Sequence, residues 1–250
     1  MENCKTIDGK LIAFPHGADV TDAARDKKEK NKAANANKLT PERKAEKKRM
    51  RKEIFAAFMK IAAMVVRYVT VPPIMAAALI LTVYFSNAAY IGGSKDLFAA
   101  LGFLCVMPLL SYPVHAFVPA LKKRGRKCQR NLAIVFSVLG YACGLVHAFA
   151  FHAAAQLSAL YLTYAISGAI IAICSFVFKF KASGHASGIA GPVAALTLMI
   201  SPYYAFGVVL LVACAISSVY VKRHTVVEFI AGAAFTVAAL IFSMAVFAVL

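Results

Sequence analysis

Ser217-Ser218-Val219-Tyr220-Val221-Lys222-Arg223-His224-Thr225-Val226-Val227-Glu228 is a short polar island between two long apolar runs, 203–221 and 226–249. About 20 apolar residues carry a helix across a bilayer, so the island reads as the turn between two membrane helices. Glu228 is its notable member. Nine of the 11 acidic residues lie in positions 2–53, and only Asp96 and Glu228 come later. A carboxylate in an otherwise apolar segment is costly unless it is paired or faces a polar cavity. His224 lies four residues earlier, and positions i and i+4 stack on one helix face. Glu228 can therefore hold one imidazole nitrogen and leave the other free, which fixes the tautomer and raises basicity. A helix-end pair that serves structure alone accounts for these two residues equally well.

The same alternation of apolar run and short polar turn extends outward through the chain. Further runs cover 70–90, 97–117, 131–151, 155–178 and 186–200, and an amphipathic stretch with Lys60 and Arg67 covers 54–69. The amphipathic stretch fits the membrane interface or an extension of the first span. The run at 186–200 is short and calls for close packing through Gly188, Ala190 and Gly191. With 61% hydrophobic residues and a mean hydropathy of +0.70, the chain is far more apolar than an ordinary soluble domain. The expected fold is an all-α integral membrane protein, a polytopic helical bundle of about six or seven transmembrane helices. Two regions are expected: a basic tail over 1–53 and a transmembrane helical domain over 54–250.

The net charge of +17 is unevenly held. Residues 1–53 carry 15 Lys/Arg and nine Asp/Glu, whereas 54–250 carry 13 basic and two acidic residues. The opening 50 residues have no apolar core of the signal-peptide kind. The Lys/Arg/Glu/Ala run over 26–53 reads as a solvated tail, helical near its end. It lacks interleaved aromatics, so no nucleic-acid partner is expected; anionic lipid headgroups are the expected contact. Basic residues then recur at every second connection: Lys122 to Arg130, Lys179 and Lys181, and Lys222 with Arg223. The positive-inside rule places the tail and these loops in the cytoplasm of a multi-pass protein of the cell membrane. The six cysteines have no metal-type spacing and read as reduced, small apolar fillers. His115, His147 and His152 lie in or beside apolar runs and read as structural.

Each of the three basic loops holds a reactive candidate. The first runs Lys123-Arg124-Gly125-Arg126-Lys127-Cys128-Gln129-Arg130, a K-x6-R pattern. The second is Ala182-Ser183-Gly184-His185, at a helix start, and the third is the His224/Glu228 island. Read together, over about 123–232, they resemble the type 2 phosphatidic acid phosphatase superfamily, which includes class A acid phosphatases and vanadium haloperoxidases. Its signatures are K-x6-R-P, P-S-G-H and S-R-x5-H-x3-D. Here Asn131 and Ala182 stand where the pattern has proline, Glu228 where it has aspartate, and Ser218 where it has arginine. Lys222 and Arg223 are the nearest replacements for that lost charge, although lysine does not reproduce a bidentate fork.

The resemblance implies phosphoester hydrolysis through His224 as nucleophile, forming a phosphohistidine. His185 would protonate the leaving oxygen and then activate water, with Glu228 orienting His224. The chemistry of the residues agrees. Lys123, Arg130, Lys222 and Arg223 are charge-assisted donors for phosphate oxygens. Ser183 and Gly184 open a helix, where free N–H groups and the dipole favour an anion. No metal and no cofactor is expected, because the cations neutralise the phosphate. The substrate expected is a lipid phosphate or isoprenoid diphosphate at the membrane. The rival reading is a non-enzymatic transporter or lipid-phosphate carrier that uses the same cations for binding.

Overall fold

A computed structural model describes residues 25–32 and 41–249. Among the described residues 86% are helical and none lies in a strand. In the N-terminal unit, α1 covers 25–32, and its Lys30–Asp26 pair at 2.9 Å is exposed on both sides. Helix α2 (Pro41–Val69) then runs without interruption through the expected tail boundary at 53. Positions 1–24 of the expected tail lie outside the described residues, as do 33–40.

The second unit, 58–250, holds the bundle. After a break at Thr70 and Val71 comes α3 (Pro72–Ser86), with the α2 and α3 axes 51° apart. Proline at the first helical positions of α3 explains the break: it needs no N–H there and disfavours α geometry in the residue before it. A helical segment, Ser94–Phe117, follows as α4 (Ser94–Leu101), a π-helical turn over Gly102–Val106 and α5 (Met107–Phe117). After one turn, α6 (Pro119–Lys122), come α7 (Gly125–Ala150), α8 (Ala155–Phe176) and α9 (Gly184–Met199). A 3-10 turn leads into α10 (Val208–Tyr220), and α11 (Val226–Val246) ends the bundle.

Five segments are long and apolar enough to cross a membrane, and a sixth results if the bent α2–α3 pair counts as one span. Helix α9, at 16 residues, does not reach that length. Many large apolar side chains point outward, among them Phe85, Phe149, Phe206 and Ile230. So much exposed apolar surface is rare on a soluble monomer and is compatible with a multi-pass membrane protein. The interior combines large side chains such as Tyr141, Tyr161, Tyr164 and Phe229 with small residues where helices approach closely. Around α9 the approach is close: a Cβ on Gly188 would sit 2.7 Å from Pro72, and one on Gly191 2.7 Å from the Thr236 methyl. Ser187 and Thr236 hydroxyls hydrogen-bond across the α9–α11 interface. These contacts are the small-residue packing that membrane helices use.

The turns before α9 and α11 meet, with the Ser183 amide on the Glu228 carbonyl at 2.9 Å, and the start of α7 joins them through Arg130, which reaches Ser175 near the end of α8 at 2.8 Å. The second late acidic residue lies elsewhere. Asp96 at the start of α4 lies 3.4 Å from His147 near the end of α7. His147 is ringed by Phe103, Phe151 and Tyr161, so this histidine is a packing residue that also sits against a carboxylate.

Candidate functional site

The island before α11 folds as its sequence dictates. Thr225 is the N-cap, and its side chain accepts from the Glu228 amide at 3.2 Å. The Glu228 carboxylate reaches back to the Thr225 amide at 3.0 Å, which completes a capping box. The same carboxylate oxygen lies 3.3 Å from His224 Nδ1. A second acceptor meets that nitrogen: the Lys181 carbonyl, at 3.1 Å. With acceptors on both sides, Nδ1 carries the proton, and the lone pair is left on Nε2. Burial lowers the His224 pKa, with Glu228 opposing and the nearby Arg130 charge assisting. The ring is therefore neutral at pH 7, with Nε2 in the form a nucleophile needs.

Ser183 caps α9. It is fully buried, its hydroxyl accepts from the Ala186 amide, and its own amide donates to the Glu228 carbonyl at 2.9 Å. The free amides of the first turn are then those of Gly184 and His185, which have no intrahelical acceptor. A Cβ added to Gly184 would meet nothing within 4 Å, so there is open space in front of this helix end. Gly232 on α11 makes the convergence possible, since a Cβ there would lie 2.3 Å from the Ser183 carbonyl oxygen.

His185 is held in the same neighbourhood. Its pKa is pushed down to about 4, first by burial, then by the charges of Arg67 and His224, with an opposing contribution from the Arg67 backbone. His224 thus lies close enough to bear on His185, although 39 positions away in the chain. Arg130, one turn inside α7, donates to the Ser175 hydroxyl of α8 at 2.8 Å. Lys123 at the end of α6 is exposed, and among the described residues its side chain has no hydrogen-bond or ion-pair partner. Lys222 and Arg223 are also exposed, on the turn before His224. The structure therefore brings together His185, His224, Glu228, Arg130, Ser183 and Gly184, and leaves the three other cations on the surface around them. Ser218 is fully buried, with its hydroxyl 3.9 Å from the Cys214 sulfur.

Two participants have no counterpart in the motif reading. The Lys181 carbonyl is a main-chain group, which no residue type announces. Arg67 belongs to the amphipathic stretch read as interfacial or as an extension of the first span; a guanidinium inside an apolar run was the available clue. Among the described residues no three His, Cys, Asp or Glu side chains are grouped to hold a metal ion. No family model, curated protein or solved structure matches the chain.

Proposed function

We propose that the chain is an integral-membrane lipid phosphatase acting on a lipid phosphomonoester or a polyprenyl diphosphate through a covalent phosphohistidine. The observation that carries this reading is the placement of His224, with Nδ1 held by Glu228 and Lys181 and Nε2 free, next to His185 at the open N-terminus of α9. The motif resemblance to type 2 phosphatidic acid phosphatases supports the same assignment.

In this reading the phosphoryl oxygens lie at the Gly184 and His185 amides and near Arg130. His224 Nε2 attacks phosphorus, and the bond to the leaving oxygen breaks. His185 gives its proton to that oxygen. The free site holds His185 neutral, but a bound phosphate dianion beside it favours the imidazolium, so the acid is created by substrate binding. Water then attacks the phosphohistidine, His185 takes the water proton, and phosphate leaves with His224 regenerated. Throughout, Glu228 faces the positive charge that develops on the His224 ring.

A lipid substrate is favoured by the surroundings. An open groove of about 420 Å³ is lined by Asn131 and Phe176, the chain neighbours of Arg130 and Ser175. Its wall combines Arg124 and Lys127 with Leu132, Val135 and Phe176, cationic and apolar surface side by side, as an amphiphile requires. The bundle makes seven crossings in this reading, with α3 and α9 as the short ones and the basic loops in the cytoplasm. A binding-only carrier is the second reading, favoured by Ser218, whose buried hydroxyl offers no phosphate contact.

The test is phosphate release by the purified full chain from a panel of lipid phosphates and diphosphates. Release is expected to survive a strong chelator, to be inhibited by orthovanadate and to vanish in His224→Ala. Release by His224→Ala at the wild-type rate overturns the assignment. Lipid phosphate binding without release by any form of the protein selects the carrier.

A further inference from the structure

Arg67 is a charged residue near the end of α2, and its Nη1 atom is buried without a hydrogen-bond partner among the described residues. A buried guanidinium nitrogen left unpaired is costly, which is a reason to ask what completes it. Its location is well determined by its neighbours. One residue earlier, Val66 packs on the cluster formed by Ala186, Ile189, Cys214 and Phe229. One turn later, the Thr70 hydroxyl donates to the Cys214 sulfur at 3.6 Å, and that sulfur touches Ser218. The end of α2 is thus pinned between the start of α9, the end of α10 and the start of α11. After burial, the Arg67 charge is the next cause of the lowered His185 pKa, and the Arg67 main chain is a hydrogen-bond partner of that ring.

We propose that Arg67 is a phosphate-binding residue of this site, a guanidinium donated by α2 that stands in for the positive group absent at Ser218. The inference rests on the phosphatase reading for its ligand, a phosphate monoester or diphosphate headgroup. Arg130 reaches the site from α7 and Arg67 from α2, so the anion is clasped between two guanidinium groups with the α9 amides beneath it. A guanidinium suits this role because its planar fork matches two phosphate oxygens at once. The orphaned Nη1 is then a donor waiting for an oxygen.

Two readouts on the detergent-purified full chain test it. The first is the rise in Tm caused by inorganic phosphate or orthovanadate; the second is the KM and kcat for a lipid phosphate. Arg67→Gln is expected to abolish the anion-induced rise and to raise KM at least about tenfold, the ordinary loss for one charge-assisted bond. Arg67→Lys, which keeps the charge and loses the fork, is expected to fall between. A wild-type rise in Tm with unchanged KM in folded Arg67→Gln overturns the role of Arg67 and leaves the phosphatase reading standing. Anion stabilisation that depends on Arg67 in a protein that releases no phosphate does the reverse. Absence of any anion effect on the wild-type protein overturns both. Where Arg67→Gln does not fold, the Arg67→Lys comparison decides by the same shift.

Discussion

The Glu228 carbonyl accepts a hydrogen bond from the Ser183 amide at 2.9 Å, so the turn before α9 and the first turn of α11 move as one piece. Gly232 permits it, since any Cβ there meets the Ser183 carbonyl at 2.3 Å. The clash is with main chain, which cannot rotate away. Gly232→Ala is therefore expected to cost about 1–3 kcal/mol, the usual range for overpacking. It is also expected to lower phosphate release at least about tenfold, since misplacing reacting groups by even 1 Å can cost about 10². Thermal unfolding in detergent together with the release assay checks both.

Gly184 gives the complementary case. Its added Cβ would touch nothing in the protein, so Gly184→Ala is expected to leave Tm unchanged. If an anion rests on the first turn of α9, the methyl group intrudes on it, and the apparent affinity for orthovanadate falls. A variant with wild-type vanadate inhibition would place the anion elsewhere.

Glu228→Gln keeps the shape of the side chain and removes its charge. A carboxylate that orients a catalytic histidine can be worth about 10⁴ in rate. Here the Lys181 carbonyl holds the same nitrogen, so the tautomer survives and a smaller loss of about 10² is expected. Lys181→Ala is expected to change little, because the contact is made by the main chain. Single-turnover measurement of phosphohistidine formation separates this effect on chemistry from one on binding.

Stability should depend on pH through the two histidines. His185 is lowered from 6.5 to about 4, by burial and then by Arg67 and His224, and His224 is lowered mainly by burial. A base that is harder to protonate when folded makes the unfolded chain the better proton acceptor. Its contribution to stability is full above pH 6.5 and is lost as the pH falls from about 6.5 towards about 4. The Tm is expected to drop across that window, and His185→Asn is expected to flatten the drop. Bound orthovanadate, by favouring the imidazolium, is expected to shrink it too.

Ser218→Arg restores the residue of the motif pattern, and sequence alone suggests a gain of activity. Ser218 is fully buried against Cys214, and Cys214 in turn holds Thr70 at the end of α2. An arginine here has to displace that contact and bury a charge. The expected outcome is a destabilised protein, by about 3 kcal/mol or more as for an uncompensated buried charge, with no gain in turnover. Raised phosphate release by a protein of unchanged Tm would contradict it.

Much of this architecture is legible in the residue pattern. The apolar run expected at 155–178 is α8 at Ala155–Phe176, and that at 226–249 is α11 at Val226–Val246. Helix periodicity and turn polarity are local properties, so their imprint on the sequence is strong. His224 and Glu228 do meet, as their four-residue spacing suggests, but not along a helix face: His224 lies in the turn before Thr225, and the contact is made across the N-cap of α11. What local pattern does not carry is which distant groups share a place. The pairing of Asp96 with His147 spans two helices, and neither residue alone announces it. Arg67 comes to the start of α9 only through the packing of the end of α2 against distant helices, and the Lys181 carbonyl acts through an atom every residue has.

Helix α9 has 16 residues, which at 1.5 Å per residue makes about 24 Å of helix, against a hydrocarbon thickness of about 30 Å. Such hydrophobic mismatch is relieved by thinning the bilayer or by sinking one end of the helix below the headgroup plane. When the sinking end is the one that carries Gly184 and His185, the site goes down with it. In the proposed membrane setting the catalytic plane then lies beneath the mean level of the lipid phosphates, and a substrate must dip its headgroup inward to react. Bilayer thickness would thereby set how far each lipid travels before any bond is broken, so the surrounding membrane would tune turnover alongside the groove that receives the substrate.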